Sequence, residues 1–253
     1  MNPFETIFNR ITEKKKKLDS FRQLPPSLVK KLDEWFNIEF TYTSNAIEGN
    51  TLSLAETALV VEKGVTIGGK TITEHLEAIN HAQAISFIKQ LVNKKRTELR
   101  ITDILDIHRL ILQKIDDSNA GIFRRVAVRV LGSRTIFPNY LKVPQLMDEF
   151  GHWLITTQEH PLVINAQAHL KLVTIHPFVD GNGRTARLLM NLPLLQEGYP
   201  LAIIKKEDRL AYINTLEKAH LTGNDNDFQQ LILQAVEHSL DNYLEAIEQS
   251  EIR

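Results

Sequence analysis

A mainly α-helical bundle with one β-hairpin is the fold class this sequence predicts, on three observations. Apolar residues recur at helical spacing along most of the 253-residue chain, capping residues punctuate those runs, and period-two alternation is confined to one short stretch. A chain of this length can bury a full core, as one large domain or two smaller ones.

Phe4, Ile7, Phe8 and Ile11 mark a first helix, and the "KKKK" that follows reads as its solvated face. After "LPPS" a second helix sets Leu28, Leu32, Trp35 and Phe36 on one side and runs toward Glu48. Gly49 suits the left-handed position that closes a helix. "SLAE", from Ser53 to Glu56, has the capping-box form and opens a third helix that stops near Gly64. "TEHLEAINHAQAISFIKQLV" predicts a fourth, with Leu76, Ile79, Ala84 and Phe87 among its apolar positions. Further helices are predicted at about 102–115, 143–158, 162–174, 184–197, 207–221 and 226–248. In "RRVAVRVLGSRTIFPNY", 124–140, Val126, Val128 and Val130 share one face of a short strand, a Gly-Ser turn follows, and a second extended segment ends at Pro138. Two strands alone are marginal, so this hairpin must pack on helices; its outer edge would offer backbone groups to an extended peptide of a partner.

Thirty basic against thirty-one acidic side chains give a net charge of −1, so no global field gathers nucleic acid or anionic lipid, and any phosphate site must be local. The absence of cysteine excludes disulfides, thiolate metal sites and a cysteine nucleophile. No apolar run is long enough to span a bilayer, and the first residues lack signal-peptide form, so a cytoplasmic protein is expected.

"GVTIGGKT", 64–71, matches the phosphate-loop pattern G-x-x-x-x-G-K-[ST]. That loop works only when a buried strand feeds it and a helix starts at the Lys-Thr, so that backbone amides converge on phosphates. Here a capped helix precedes it and no series of hydrophobic strands exists, so the match is read as a connector.

The chemistry concentrates in "IHPFVDGNGRTARLLMN", 175–191. A helix is expected to end near His176, a loop to run through Asp180, Gly181, Asn182 and Gly183, and a new helix to start near Arg184. Gly-Asn-Gly admits positive φ, which allows successive N–H groups to form an anion nest beside the positive end of that helix. Arg184 and Arg187 stand at i and i+3, where guanidinium forks can clamp phosphate oxygens. Asp180 is a single carboxylate of the kind that holds Mg²⁺ together with substrate phosphates and water. His176, with an unperturbed pKa near ~6.5, can take a proton from an attacking hydroxyl.

This segment resembles the Fic family signature H-P-F-x-[DE]-G-N-G-R-x-x-R, which "HPFVDGNGRTAR" meets at every defined position. "GIFRRVAVRV", "FPNY" and "VPQLMDEF" resemble the family's flap region, and "EGYPLAIIKKEDRLAYINTLEKA" is similar to the segment after the signature. The resemblance implies a Fic-type helical bundle with one β-hairpin flap, divided into an N-terminal helical region, 1–95, and a catalytic core with C-terminal helices, 96–253. It implies transfer of AMP from ATP to a Ser, Thr or Tyr hydroxyl of a target protein. His176 would be the base, Asp180 the Mg²⁺ ligand, and Gly181, Asn182 and Gly183 the nest. Arg184 and Arg187 would engage the β- and γ-phosphates, and Tyr212 would belong to the adenine pocket. His220 falls where related proteins often have Asn, which leaves base specificity open. The flap near 124–140 would dock the target.

"SNAIEG", from Ser44 to Gly49, is similar to the family's inhibitory pattern [ST]-x-x-x-E-[GN]. Placed N-terminal to the signature, it implies the class II arrangement, in which Glu48 pairs with Arg187 and obstructs the γ-phosphate while Ser44 supports the plug. The pairing explains an oddity of the residues themselves, since a carboxylate at a helix C-terminus is unfavourable by ~0.3–1 kcal/mol. The resemblance leaves open removal of AMP, self-modification and a homodimer. It also leaves open another donor (transfer of UMP, phosphocholine or phosphate), while a non-catalytic nucleotide sensor is disfavoured by the intact His176.

Overall fold

The structure, a computed structural model, describes residues 3–21 and 24–251. Among them the ordered elements are helices: α1 Pro3–Ser20, α2 Pro26–Ile47, α3 Leu54–Lys63, α4 Ile72–Leu91 and α5 Ile101–Leu112, then α6 Val143–Thr156, α7 Pro161–Ile175, α8 Asn182–Gln196, α9 Arg209–Thr222 and α10 Asn226–Glu251. Local chemistry sets several boundaries. Ser53 with Glu56, and Thr71 with Glu74, form complete capping boxes at the starts of α3 and α4. Pro26 and Pro161 open α2 and α7, where a missing N–H costs nothing.

Helix α8 is the buried centre, packed along α7 and against α4 and α5. Leu188 and Leu192 face an apolar cluster with Phe40, Ile85, Ile107, Met147 and Leu172. Met190 and Leu194 face a second, with Ile11, Leu162, Phe228 and Val236. Each such side chain contributes roughly 1.5–3 kcal/mol through burial, so the helix that carries the signature is anchored from both sides. The first cluster joins α2 and α4 to α5–α8, which brings the end of α2 against the start of α8.

Three expectations change. The hairpin at 124–140 is not formed; no strand occurs among the described residues. Val126 and Val130 are exposed, so the alternating valines find no core face to reward pairing. Trp35 is also exposed and stands edge-on to the buried Phe36. The "KKKK" lysines are not a purely solvated face: Lys14 pairs with Glu237 and Asp241 and Lys17 with Glu248, joining α1 to α10. The 64–71 stretch connects α3 to α4, and Lys70 Nζ donates to Thr51 O at 2.6 Å, which agrees with its reading as a connector. No helix among the described residues is long and apolar enough to cross a membrane.

Candidate active site

His176 closes α7 with φ +50, in the left-handed region that few non-glycine residues enter. Its N–H donates to Leu172 O at 2.9 Å, its carbonyl accepts from Arg124 Nε at 2.7 Å, and its ring lies against Phe137, centroids 4.1 Å apart. Burial, opposed by the Val173 carbonyl contact and reinforced by the Arg124 charge, pushes the imidazole down to about 4. The ring is therefore neutral near pH 7. An Nδ1 proton directed at Val173 O, 3.4 Å away, leaves Nε2 as the basic nitrogen.

The loop after His176 is braced from within and from outside. Asn182 Oδ1 accepts from the Phe178 N–H at 3.0 Å and its Nδ2 donates to Phe178 O at 2.9 Å. His108 stacks on Phe178, sets Nε2 3.0 Å from Asp180 O and accepts from the Gly121 N–H at 2.9 Å. Burial pushes His108 down to about 4, as its accepting nitrogen requires. Helix α8 starts at Asn182, two residues earlier than expected, and only Gly181 of the Gly-Asn-Gly run takes positive φ, +74. The anion-binding end is thus a single left-handed residue followed by helical N–H groups, not a nest of three.

Gly183 matters for a different reason: a Cβ there would collide with Glu48 Oε1 and come within 3.0 Å of Arg187 Nη1. Glu48 caps α2, followed by Gly49 at φ +104. Arg187 is fully buried and all of its nitrogens are engaged: Nε with Ser44 Oγ at 3.0 Å, Nη2 with Ser44 O at 2.9 Å and Glu48 Oε1 at 2.6 Å, and Nη1 with Tyr212 Oη at 3.3 Å. Burial raises the Glu48 carboxyl, but the charge and hydrogen bond of Arg187, with Arg184 and Arg209 farther off, outweigh it and hold it below its usual range. Arg209 Nε donates to Ile47 O at 2.7 Å, placing a cation on the C-terminal carbonyls of α2.

Arg184 has other partners. Its Nη1 meets Glu77 Oε1 at 2.9 Å and its Nη2 meets Asp180 Oδ2 at 3.2 Å; Glu77 also accepts from Asn50 Nδ2 at 2.8 Å. The two arginines are therefore each paired with carboxylates rather than standing as one open clamp. The Asp180 side chain is 69% exposed, while its Oδ1 accepts from the Gly181 N–H. No group of three or more His, Cys, Asp or Glu among the described residues can hold a metal alone. One exposed carboxylate, whose oxygens keep lone pairs beside the Arg184 and Gly181 contacts, fits Mg²⁺ that arrives with phosphate and water ligands.

Glu48, Ser133, Phe137, His176, Gly183 and Tyr212 line a cavity of about 430 Å³, with Ile213, Leu216 and His220 on its α9 wall. Tyr212 is buried at its edge, its hydroxyl held between Arg187 and His169 Nε2, 2.9 Å away. His220 Nε2 is buried without a partner. A larger cavity, about 840 Å³, lies beside Lys15, Lys94 and His160, away from these groups. The structure brings Glu48, His176, Gly183 and Tyr212 to one cavity, with Arg187 bonded to Glu48, Tyr212 and Ser44 beside it; Asp180, on the loop, and Arg184, in the first turn of α8, are not among the lining residues. Glu77, His108, Arg124, His169 and Arg209 were not singled out by sequence. Only Arg124, beside a β-like run in "GIFRR", carried any local sign of a special position.

The Fic/DOC family model matches residues 98–194. A Culex quinquefasciatus protein named protein adenylyltransferase Fic is 39% identical over 240 residues, 94% of this chain and 47% of that protein. A Nematostella vectensis protein of the same name is 35% identical over 243 residues, 95% of this chain and 56% of that one. The chain thus spans about half the length of the curated relatives it matches. The solved structure of Fic-1 from C. elegans superposes with a TM-score of 0.87 at 34% identity, covering 97% of this chain and 74% of that one. A Fic domain containing signaling protein from Bacteroides thetaiotaomicron superposes with a TM-score of 0.85 at 28% identity, covering 94% and 97%.

Proposed function

Because this chain belongs to the Fic/DOC family, we propose that it is an autoinhibited protein adenylyltransferase, transferring AMP from ATP to a hydroxyl side chain of a protein. The observation that carries this reading is that a neutral, half-buried His176 and Glu48, itself paired with Arg187, line one cavity.

In the reaction the acceptor oxygen attacks the α-phosphorus, the bond to the bridging oxygen of the leaving group breaks, pyrophosphate departs, and the hydroxyl proton passes to His176 Nε2. The first N–H groups of α8, from Asn182 and Gly183, face the charge that develops on the transferred group. Mg²⁺ on Asp180 would neutralise phosphate charge. Arg184 and Arg187 would receive the outer phosphates, Arg187 only after exchanging Glu48 for phosphate oxygens. Tyr212 holds Arg187 in place and borders the base side of the cavity with Ile213 and His220.

The exposed 126–138 segment would present the target, with Leu131 and Ile136 almost wholly accessible. No ladder pairs its two arms, so the backbone groups left outside the few turn and side-chain hydrogen bonds are offered without first breaking a sheet. Intact-mass analysis of the Glu48→Gly protein with Mg²⁺ and each of the four nucleoside triphosphates tests the reading. A gain of one AMP from ATP, on the protein itself or on an added target, is expected; a gain of UMP or phosphate reassigns the donor. No gain on any protein in a cell extract refutes transfer.

A further inference from the structure

The segment that would present the target has no sheet to hold it, yet it is not loose at its root. Arg124 is 3% exposed and donates from all three guanidinium nitrogens to carbonyls: Nε to His176 at 2.7 Å, Nη1 to Val126 at 2.9 Å and Nη2 to Pro138 at 2.6 Å. Its own N–H donates to Pro177 O at 2.8 Å. Val126 and Pro138 begin and end the open segment, and His176 is the residue in the strained left-handed conformation. One side chain therefore closes the two arms of the segment on each other and fastens both to the backbone of the proton acceptor. No partner is a carboxylate, so the buried charge is met by carbonyl dipoles alone. Such an arrangement needs a planar fork with diverging donors, which lysine, a single point charge, does not offer.

The other ties lie farther along. Arg134 N–H and Nε both meet Glu217 Oε1, at 3.0 and 3.3 Å, and Thr135 Oγ1 stands 3.4 Å from His220 Nδ1. These fix the tip to α9, and Phe137 rests its ring on that of His176; among the described residues the hydrogen bonds that fix the root to the catalytic loop come from Arg124. Nothing in this set touches Ser44, Glu48, Arg184 or Arg187.

We propose that Arg124 is a positioning residue that sets the 126–138 segment over His176, and so controls how an acceptor chain is presented without taking part in nucleotide binding. The acceptor clause rests on the function proposed above; the positioning clause does not. Without the guanidinium, Val126 O and Pro138 O can turn to water because the segment is at the surface. Local opening, rather than loss of the core, is the consequence.

Amide hydrogen exchange on Arg124→Gln and Arg124→Lys is the test. In Arg124→Gln the amides of Ser133, Arg134 and Thr135, hydrogen-bonded in the parent, are expected to exchange at least about tenfold faster. Those of α8 should be unchanged, and ATP·Mg²⁺ affinity, measured in a Glu48→Gly background, should stay within about twofold. Arg124→Lys, which keeps the charge but not the fork, is expected to fall between the parent and Arg124→Gln, and it carries the test if the glutamine variant does not fold. Unchanged exchange at these three amides overturns the proposal. So does a parallel rise across α8, or a loss of ATP affinity that accompanies the opening. None of the exchange readings needs AMP transfer, so failure of the proposed reaction, seen as no mass gain with Glu48→Gly, is a separate result.

Discussion

Glu48 Oε1 stands 2.6 Å from Arg187 Nη2, across 139 positions of sequence. Glu48 sits at the electrostatically unfavourable end of α2, and Arg187, from the second turn of α8, supplies the positive charge that end lacks. Arg187 also keeps Ser44 and Tyr212 as partners, so removing the glutamate does not leave the guanidinium stranded. Glu48→Gly is therefore expected to fold and to raise AMP transfer by at least about tenfold, the ratio set by ~1.4 kcal/mol of competition for the arginine. Adding His176→Ala should return incorporation from α-labelled ATP to background. Equal incorporation by the parent and Glu48→Gly would remove the case for autoinhibition.

Gly183 provides an independent probe of the same contact. An added Cβ meets Glu48 Oε1 directly, while its contact with Arg187 is milder. Gly183→Ala should cost ~1–3 kcal/mol in the parent through overpacking. In a Glu48→Gly background the main obstruction is gone, and the cost should shrink by at least ~1 kcal/mol. A double-mutant cycle on urea unfolding measures this; additive costs would mean that Glu48 does not rest against Gly183 in solution.

How much of this was legible in the sequence depended on whether the cause was local. The start of α3 is visible because Ser53 and Glu56 satisfy each other within one turn; Thr71 and Glu74 do the same for α4, a local signal that the phosphate-loop pattern overlapping Thr71 obscures. The signature and the plug are visible as unusual charges at helix ends. Glu77 and His108 were not, because a carboxylate and an imidazole on helices look the same whether they face solvent, an arginine of α8 107 positions away or a loop carbonyl 72 positions away. The hairpin misled for a related reason. Val126, Val128 and Val130 alternate as a strand does, but alternation selects a strand only when one face is buried. Here Arg124 supplies from the side the hydrogen bonds that a ladder would make.

Asn182 holds both the N–H and the carbonyl of Phe178 in a fully enclosed place. Asn182→Ala leaves two buried backbone groups without partners, at ~1–3 kcal/mol each. A drop in stability of that size, read from chemical denaturation, is expected with no change in the Glu48–Arg187 contact. Asn182→Asp keeps the acceptor but loses the donor and should fall between. A neutral effect of Asn182→Ala would show that the loop does not depend on this brace.

The titration of His176 and His108 has different consequences for rate and for stability. Both are pushed by burial to about 4, below the unfolded value near 6.5. The native protein thus stays unprotonated through a range where the unfolded chain takes up protons, so stability is full above pH 6.5 and is lost progressively as pH falls toward 4. The rate behaves otherwise: a base already neutral at pH 5 keeps its proton-accepting form. For Glu48→Gly, kcat/KM is expected to hold at least about half its neutral-pH value at pH 5, where an unperturbed histidine would retain only about 3%. Melting temperature, by contrast, should decline across the same interval. An acid limb centred near 6.5 in kcat/KM would mean that His176 is open to solvent in the working enzyme, and that the Phe137 ring does not cover it during turnover.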